Sequence, residues 1–275
     1  QASDRQAPAT LRDVARLAQV HLSTVSRAMN EETRSLVNSE TLVRVLSAVE
    51  QLGYRPNATA RALRMKRSMS VGVIVPDLLN PMIAQMMVGI EGRLGEADYL
   101  VLLGNANHSS ERAKLFLDAM AAHQVEGIIS AASREDDDAI REIARFGRPI
   151  VLANRSLSSG GFTSVVPDDE QCSEVAIDHL AALGHKRIGH VAGPRWVTNG
   201  LLRRKGFEAA LARRKLPLIE GGVEAADRYT VEDGTRACEK LLERCGDVTA
   251  IYAGNDLLAL GCLDAVARRG LRCPE

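Results

Sequence analysis

The sequence is bounded first by what it lacks. Its five cysteines (Cys172, Cys238, Cys245, Cys262 and Cys273) are odd in number, widely spaced and without a CxxC pair. That argues against a disulfide framework and against structural zinc. No signal-peptide pattern opens the chain, and no apolar run approaches the ~20 residues that a membrane span needs. The expectation is a reduced, cytosolic protein with no membrane association. No GxGxxG follows an expected strand, no phosphate loop appears, and no Ser/His/Asp or Cys/His set suggests itself. His123, His179, His185 and His190 are scattered. The chain is therefore expected not to be an enzyme, and to use no cofactor and no metal.

The net charge is also absent, with 35 Lys and Arg against 35 Asp and Glu over 275 residues, but the zero conceals a segregation. Residues 1–67 hold eleven basic side chains and six acidic ones, an excess that the remainder cancels. A basic N-terminal module on a mildly acidic body points to a polyanionic partner for the first part only.

Within that module, TLRD (10–13) fits a capping box, Thr10 capping and Asp13 reaching back. Leu11, Val14, Ala15 and Ala18 follow at helical spacing. QVH (19–21) is a three-residue break before a second helix at Leu22, which makes a helix-turn-helix. In HLSTVSRAMN (21–30), Val25, Ala28 and Met29 form one apolar stripe. Ser23, Ser26, Arg27 and Asn30 form the other stripe, of hydroxyls, a guanidinium and an amide. A merely solvated face would carry Glu and Lys; these groups bond phosphates and base edges. A third helix is expected from Asn38 or Ser39, with Leu42, Val45, Leu46, Val49 and Leu52 inward, stopped at Gly53 and Pro56. The plainer reading is a three-helix bundle with no partner, and the polar stripe and basic excess weigh against it. In RPNATARALRMKR (55–67), Asn57 caps an Ala-rich helix of about two turns, marginal in isolation. The plainer reading is a cleavable linker; the sharper one is a hinge helix that presents Leu63, between Arg61 and Arg64, as a minor-groove wedge.

From Ser70 onward short apolar runs alternate with amphipathic helices. The strand candidates are VGVIV (71–75), YLVLL (99–103), EGIIS (126–130), PIVLA (149–153), RIGHVAG (187–193) and TAIYAG (249–254). Helices are expected between them, for example at 170–183 and 231–244. Alternation of this kind implies parallel sheets covered on both faces. SVGVIVP (70–76) and RIGHVAGP (187–194) echo each other, which suggests two similar lobes. Ligands of such sheets bind beyond the carboxyl ends of the strands. Polar residues recur there: Asp77, Asn80, Asn105, Asn154 and Arg155, then Asn199, Asn255 and Asp256. Each alone is more often an Asx turn or a helix cap, so the recurrence is what points to a small ligand rich in hydroxyls.

Taken in order, TLRDVARLAQVHLSTVSRAMN, LGYRPNATARAL and SVGVIVPDLLNPM make the chain resemble the lactose-repressor/galactose-repressor (LacI/GalR) family of bacterial transcription regulators. The resemblance implies three regions. Residues 1–55 would be an all-α helix-turn-helix head, 56–69 a hinge helix and linker, and 70–275 a two-lobed α/β body like a periplasmic sugar-binding protein. It implies double-stranded operator DNA as one partner, a small effector such as a sugar as another, and a homodimer. Leu22, Ser23 and Arg27 match base-reading positions; Thr10, Thr24, Ser26 and Asn30 match phosphate-binding ones. Tyr54 and Asn57 join this DNA-binding set, and Leu63 matches the intercalating leucine. His21 stands where a Ser cap is usual, and Gln19 where Gly or Asn often makes the turn.

In the body, the resemblance assigns effector contacts to Asn154, Asn199 and Asn255 and an aromatic stacking role to Tyr229, with Trp196 close by. Asp77, Asn80 and Asp256 complete the effector set. Leu201 is matched to an arginine that holds sugar in some members, and Val197 to one used by purine-binding members, so neither a galactoside nor a purine can be read from these positions. LRCPE (271–275) falls where members normally continue for roughly 60 residues, so a truncated pocket and dimer surface are expected. The alternative is a periplasmic-type sugar-binding protein without DNA function, which residues 1–67 disfavour.

Overall fold

The computed structural model describes residues 9–55, 67–145 and 147–274. The expectations for Asn57 and Leu63 lie outside the described residues. The chain divides into two compact units between Ser68 and Met69.

In the first unit, α1 (Leu11–Leu17), α2 (Leu22–Ala28), α3 (Glu31–Arg34) and α4 (Ser39–Gln51) enclose a small core of Val14, Ala15, Ala18, Val25, Ala28, Val45 and Ala48. Thr10 closes the expected capping box with Asp13 on α1. The turn is made by Gln19 at φ 51, a left-handed conformation that a non-glycine adopts at some cost. His21 caps α2, its Nδ1 accepting from the Ser23 amide at 3.3 Å and lying 2.8 Å from the Ser23 hydroxyl. Gly53 at φ 56 ends the last helix as expected.

Three expectations need correction here. Asn30 is not on α2, which ends at Ala28; it caps the short α3, accepting from the Glu32 amide. The expected third helix is therefore the fourth, with Asn38 as its cap. Leu46 is 40% exposed, and Ala48 takes the inward place, because Val45 and Ala48 are the i, i+3 pair that meets α1 and α2.

The second unit contains β1 (Ser70–Val75), α5 (Pro81–Gly95), β2 (Leu100–Asn105), α6 (Ser110–Ala122), β3 (Gly127–Ser130), α7 (Asp138–Ala144), β4 (Ile150–Ala153) and β5 (Thr163–Val165). It continues with α8 (Asp169–Ala182), β6 (Ile188–Ala192), α9 (Thr198–Arg213), β7 (Val223–Ala225), α10 (Val231–Arg244), β8 (Ala250–Ala253) and α11 (Asp256–Arg268). Both sheets are parallel, ordered β2-β1-β3-β4-β5 and β7-β6-β8. The six apolar runs all become strands. The three-residue edges β5 and β7 were not foreseen, because half-exposed segments that short carry no periodic signal.

The echo between SVGVIVP and RIGHVAGP is structural. In each sheet the opening strand sits centrally, its second strand on one side and its third on the other. Val73 therefore pairs Leu103 on one side and Ile129 on the other, as His190 pairs Val223 and Tyr252. Strand order reverses at the carboxyl ends of β1 and β6, which is where an open α/β sheet forms its crevice. Each opening strand runs into a proline, Pro76 or Pro194, at that point.

Candidate functional site

Two surfaces qualify, one in each unit. In the first unit, burying Val25 and Ala28 turns the opposite side of α2 outward. Leu22 is 38% exposed, Ser23 and Arg27 are exposed, and Thr24 and Ser26 are half-buried. An exposed leucine beside a serine and a guanidinium is an unusual solvent face but a workable groove face, because it offers apolar contact, a small donor and a bidentate donor together. Thr10, Asn30 and Tyr54 lie elsewhere. The Thr10 hydroxyl is engaged by Asp13 at 2.6 Å, and holding that bond lowers the Asp13 carboxyl below its usual range. Asn30 is committed to its cap, and Tyr54 packs half-buried on the core.

In the second unit a cleft of about 310 Å³ opens at the switch point of the first sheet. Pro76, Ala106 and Ala132, the residues just beyond β1, β2 and β3, form its floor. His108, Arg134, Arg155 and Trp196 form its walls. Trp196 comes from the second lobe and is held by its ring N–H donating to the Asp227 carbonyl at 3.3 Å. Its carbonyl also accepts from the Glu135 amide at 3.0 Å, and Thr198 bonds both the amide and the carbonyl of Ser156, so the lobes meet beside the cleft.

The indole face is flanked by cations. The Arg134 guanidinium lies 4.6 Å from the ring centroid, that of Arg155 lies 5.7 Å away, and His108 meets the ring edge-on at 6.4 Å. Arg155 is only 3% exposed, and its Nε and Nη1 have no hydrogen-bond partner among the described residues. Burial pushes its pKa down to about 10, and Arg203 nearby adds to the fall. His108 sits on a loop where Asn107 and His108 both have positive φ (48° and 60°), and neither of its ring nitrogens is hydrogen-bonded. Asp77 Oδ2 lies 3.8 Å from its Nε2, beyond hydrogen-bond length. Burial, then Arg155, depress the imidazole pKa and favour its neutral form.

Of the polar and effector residues expected from sequence, Arg155 and Trp196 line this cleft and Asp77 borders it through His108. The others are placed differently. Asp77, Asn80, Asn105 and Asn255 use their side-chain oxygens on the amides of Leu79, Met82, Asn107 and Leu258, as turns or caps. Asn154 has φ 63 and pairs through its backbone with Val165. Asn199 and Tyr229 are buried at 3% and 5% exposure and bonded to each other at 3.3 Å, so Tyr229 presents no open ring face. Asp256 is exposed at the start of α11.

Two residues beyond Leu201, helix α9 carries Arg203, which binds Asp169 at 2.7 Å and donates to the Gly254 carbonyl. Val197 is fully buried at the helix cap. His108 and Arg134 were not foreseen. No local pattern marks them, because a loop and a strand end far apart in sequence bring them to Trp196.

Residues 10–57 match the family described as bacterial regulatory proteins, lacI family, and residues 68–275 match periplasmic binding proteins and sugar binding domain of LacI family. Catabolite control protein A of Priestia megaterium is 36% identical over 267 residues, covering 97% of this chain and 80% of the relative. The HTH-type transcriptional repressor CytR of Escherichia coli K12 is 33% identical over 274 residues, covering 100% and 80%. The crystal structure of the lac repressor dimer bound to operator and the anti-inducer ONPF superposes with a TM-score of 0.85 at 27% identity, covering 96% of this chain and 79% of that one. The chain spans about four-fifths of the length of these relatives.

Proposed function

The chain belongs to the lacI family of bacterial regulatory proteins, with that family's sugar-binding domain as its body, and on that premise we propose which of its surfaces carry out the regulation. It is a DNA-binding transcription regulator of the repressor kind, and α2 is the helix it lays in the major groove. The observation that carries this is the open face of Leu22, Ser23 and Arg27 over a fully buried Val25 and Ala28. Arg27 reads a guanine edge, Ser23 and Leu22 contact neighbouring bases, and Thr24 and Ser26 position the helix on phosphates. Thr10, Asn30, Tyr54 and Asn57 support that docking from around it. Residues 1–55 form the head and 56–69 the hinge, whose Leu63 wedges the minor groove when two copies bind the half-sites of one near-palindromic operator.

Residues 70–275 bind a small effector, sugar-like in size, in the cleft walled by His108, Arg134, Arg155 and Trp196. Asp77, Asn80, Asn154, Asn199, Tyr229, Asn255 and Asp256 form the surrounding shell, whose caps and buried pairs fix the loops. The effector controls operator affinity because it binds the operator-competent and operator-incompetent arrangements unequally. The protein acts in the cytoplasm, where its DNA is; no described helix is long and apolar enough to cross a membrane.

Selection of duplexes from a random pool tests the head directly. A near-palindromic site is expected to be enriched, with affinity that falls steeply with salt as phosphate contacts release counterions. Arg27→Ala is expected to cost about 1–3 kcal/mol on the selected site and to relax the preference at one base pair per half-site. If the pool shows no enrichment, or Arg27→Ala weakens every sequence equally, α2 is not the reading helix.

A further inference from the structure

The effector's charge is written into the cleft. Arg155 is nine-tenths buried, and among the described residues no carboxylate acts on it: its neighbours are the Tyr229 phenol, which favours its charge, and Arg203, which repels it. Arg134, which also lines the cleft, donates to the Ser110 hydroxyl at 3.3 Å and forms no ion pair among the described residues. His108 adds two unbonded ring nitrogens between them. Helix α6 also opens at the cleft, with Ser109 as its cap, so its positive end points the same way.

Four acidic residues also line the cleft, and each has at least one oxygen engaged by the protein itself. Asp136 and Asp138 pair with Arg141, the latter at 3.2 Å. Asp137 caps α7 and accepts from the Arg134 amide at 3.3 Å. Glu111 accepts from the Ser109 hydroxyl at 2.6 Å, and the other cation lining the cleft, Lys114, is taken by Glu142. Two guanidiniums thus face one cavity: Arg134, half-buried with Glu111 in electrostatic reach, and Arg155, fully buried with no carboxylate on it among the described residues. A buried unpaired charge is expensive, and the component able to compensate it is the ligand.

We propose that the effector is an anion: a sugar-sized molecule whose phosphate ester or carboxylate sits between Arg134 and Arg155, with Trp196 against its apolar face. The proposal rests on the cleft being the effector site and specifies the charge of what enters it. Guanidinium geometry suits either anion, because both present two oxygens to a planar fork. The cleft volume of about 310 Å³ admits one phosphorylated or oxidised hexose and little more.

The test is calorimetric titration of the full chain with four probes: inorganic phosphate, glucose 6-phosphate, gluconate and glucose. The variants are Arg155→Met, Arg134→Met and, as a control on a distant exposed ion pair, Arg213→Met. Thermal melts of each variant without ligand verify folding first. At least one of the two sugar anions is expected to bind ten or more times tighter than glucose. Arg155→Met and Arg134→Met are each expected to lose at least tenfold of that affinity, and Arg213→Met none. Glucose 6-phosphate over gluconate identifies a phosphate ester, and the reverse a carboxylate. Glucose binding as tightly as the anions, no heat from any anion, or anion binding untouched in both cleft variants overturns the proposal. Operator affinity measured with the same probes separates the two readings. If glucose alone releases operator, the cleft senses an effector and only the charge inference fails; if glucose binds the cleft without changing operator affinity, the effector reading fails with it.

Discussion

The two lobes of the body share one strand plan and treat charge in opposite ways. In the second lobe buried carboxylates and guanidiniums meet: the half-buried Arg203 lies on Asp169 at 2.7 Å, and the exposed Arg228 and Arg236 both lie on Asp233, which is 2% exposed. In the first lobe, Arg155 at the end of β4 is more deeply buried than any of these and has none. A fold repeated twice can therefore use its switch points for different ends. The second lobe uses its guanidiniums to hold helices α8, α9 and α10 in place, while the first leaves the buried Arg155 for whatever fills the cleft. The cores differ in the same sense. The first packs Ile74, Leu117, Ile128, Ile140 and Leu152, whereas the second carries a stack of His190, Phe207 and Tyr252.

The sharpest way to break this comparison is to remove one guanidinium from each lobe. Arg203→Met strands the buried Asp169 carboxylate, whose pKa burial already raises while Arg203 pulls it back. A loss of about 3–5 kcal/mol is expected, as for other half-broken buried pairs. Arg155→Met removes an uncompensated charge and keeps its volume, so the ligand-free protein is expected to be unchanged or more stable. Urea midpoints of the two variants decide it. Equal losses would mean that Arg155 has a partner after all, and the contrast between lobes would vanish.

Next in size is a pH dependence centred on the second lobe's stack. Burial pushes His190 down to about 4, against an ordinary value of 6.5, and its Nδ1 lies 2.9 Å from the Tyr252 carbonyl oxygen. Between those values the unfolded chain binds a proton that the folded one refuses. Stability therefore falls as pH falls through this window, by about 3 kcal/mol in all, and this group adds no slope above 6.5. His108 in the first lobe is depressed in the same direction. His190→Gln is expected to flatten most of the slope between pH 6.5 and 4.5 in a series of melts. A variant as pH-sensitive as the wild type would show that the stack is not where the proton is excluded.

How much of this was legible beforehand divides along the same line. The central strands and the helices 170–183 and 231–244 were readable, because length and periodicity are local properties. The switch-point rule placed the cleft at the right end of the sheet. The asparagines that seemed to mark it proved to be Asx turns and caps at Asn80, Asn105 and Asn255, again local chemistry. Neither the grouping of Arg134, Arg155 and His108 nor the pairing of Arg203 could be separated in sequence. Whether a guanidinium meets a carboxylate depends on contacts such as that of Arg203 with Asp169, 34 positions away. In the head, the capping box and the turn were readable, while the one-turn helix α3 was too short to carry a pattern.

The lobes also differ in how closely their helices approach, and two glycines measure it. Helices α10 and α11 meet at Gly234 and Gly261, where a Cβ on Gly261 would lie 2.3 Å from the Val231 carbonyl oxygen and 2.5 Å from the Thr235 amide nitrogen. These are backbone atoms, so Gly261→Ala must move a helix, and a loss of about 1–3 kcal/mol is expected. On α5 of the first lobe, Gly92 is exposed and a Cβ there meets nothing within 4 Å. Gly92→Ala only removes backbone freedom from the unfolded chain, so a gain of about 0.5–1 kcal/mol is expected. Thermal midpoints read both. Should Gly92→Ala instead destabilise, some surface covers α5 in solution, and the place to look for it is the second copy that a near-palindromic operator calls for.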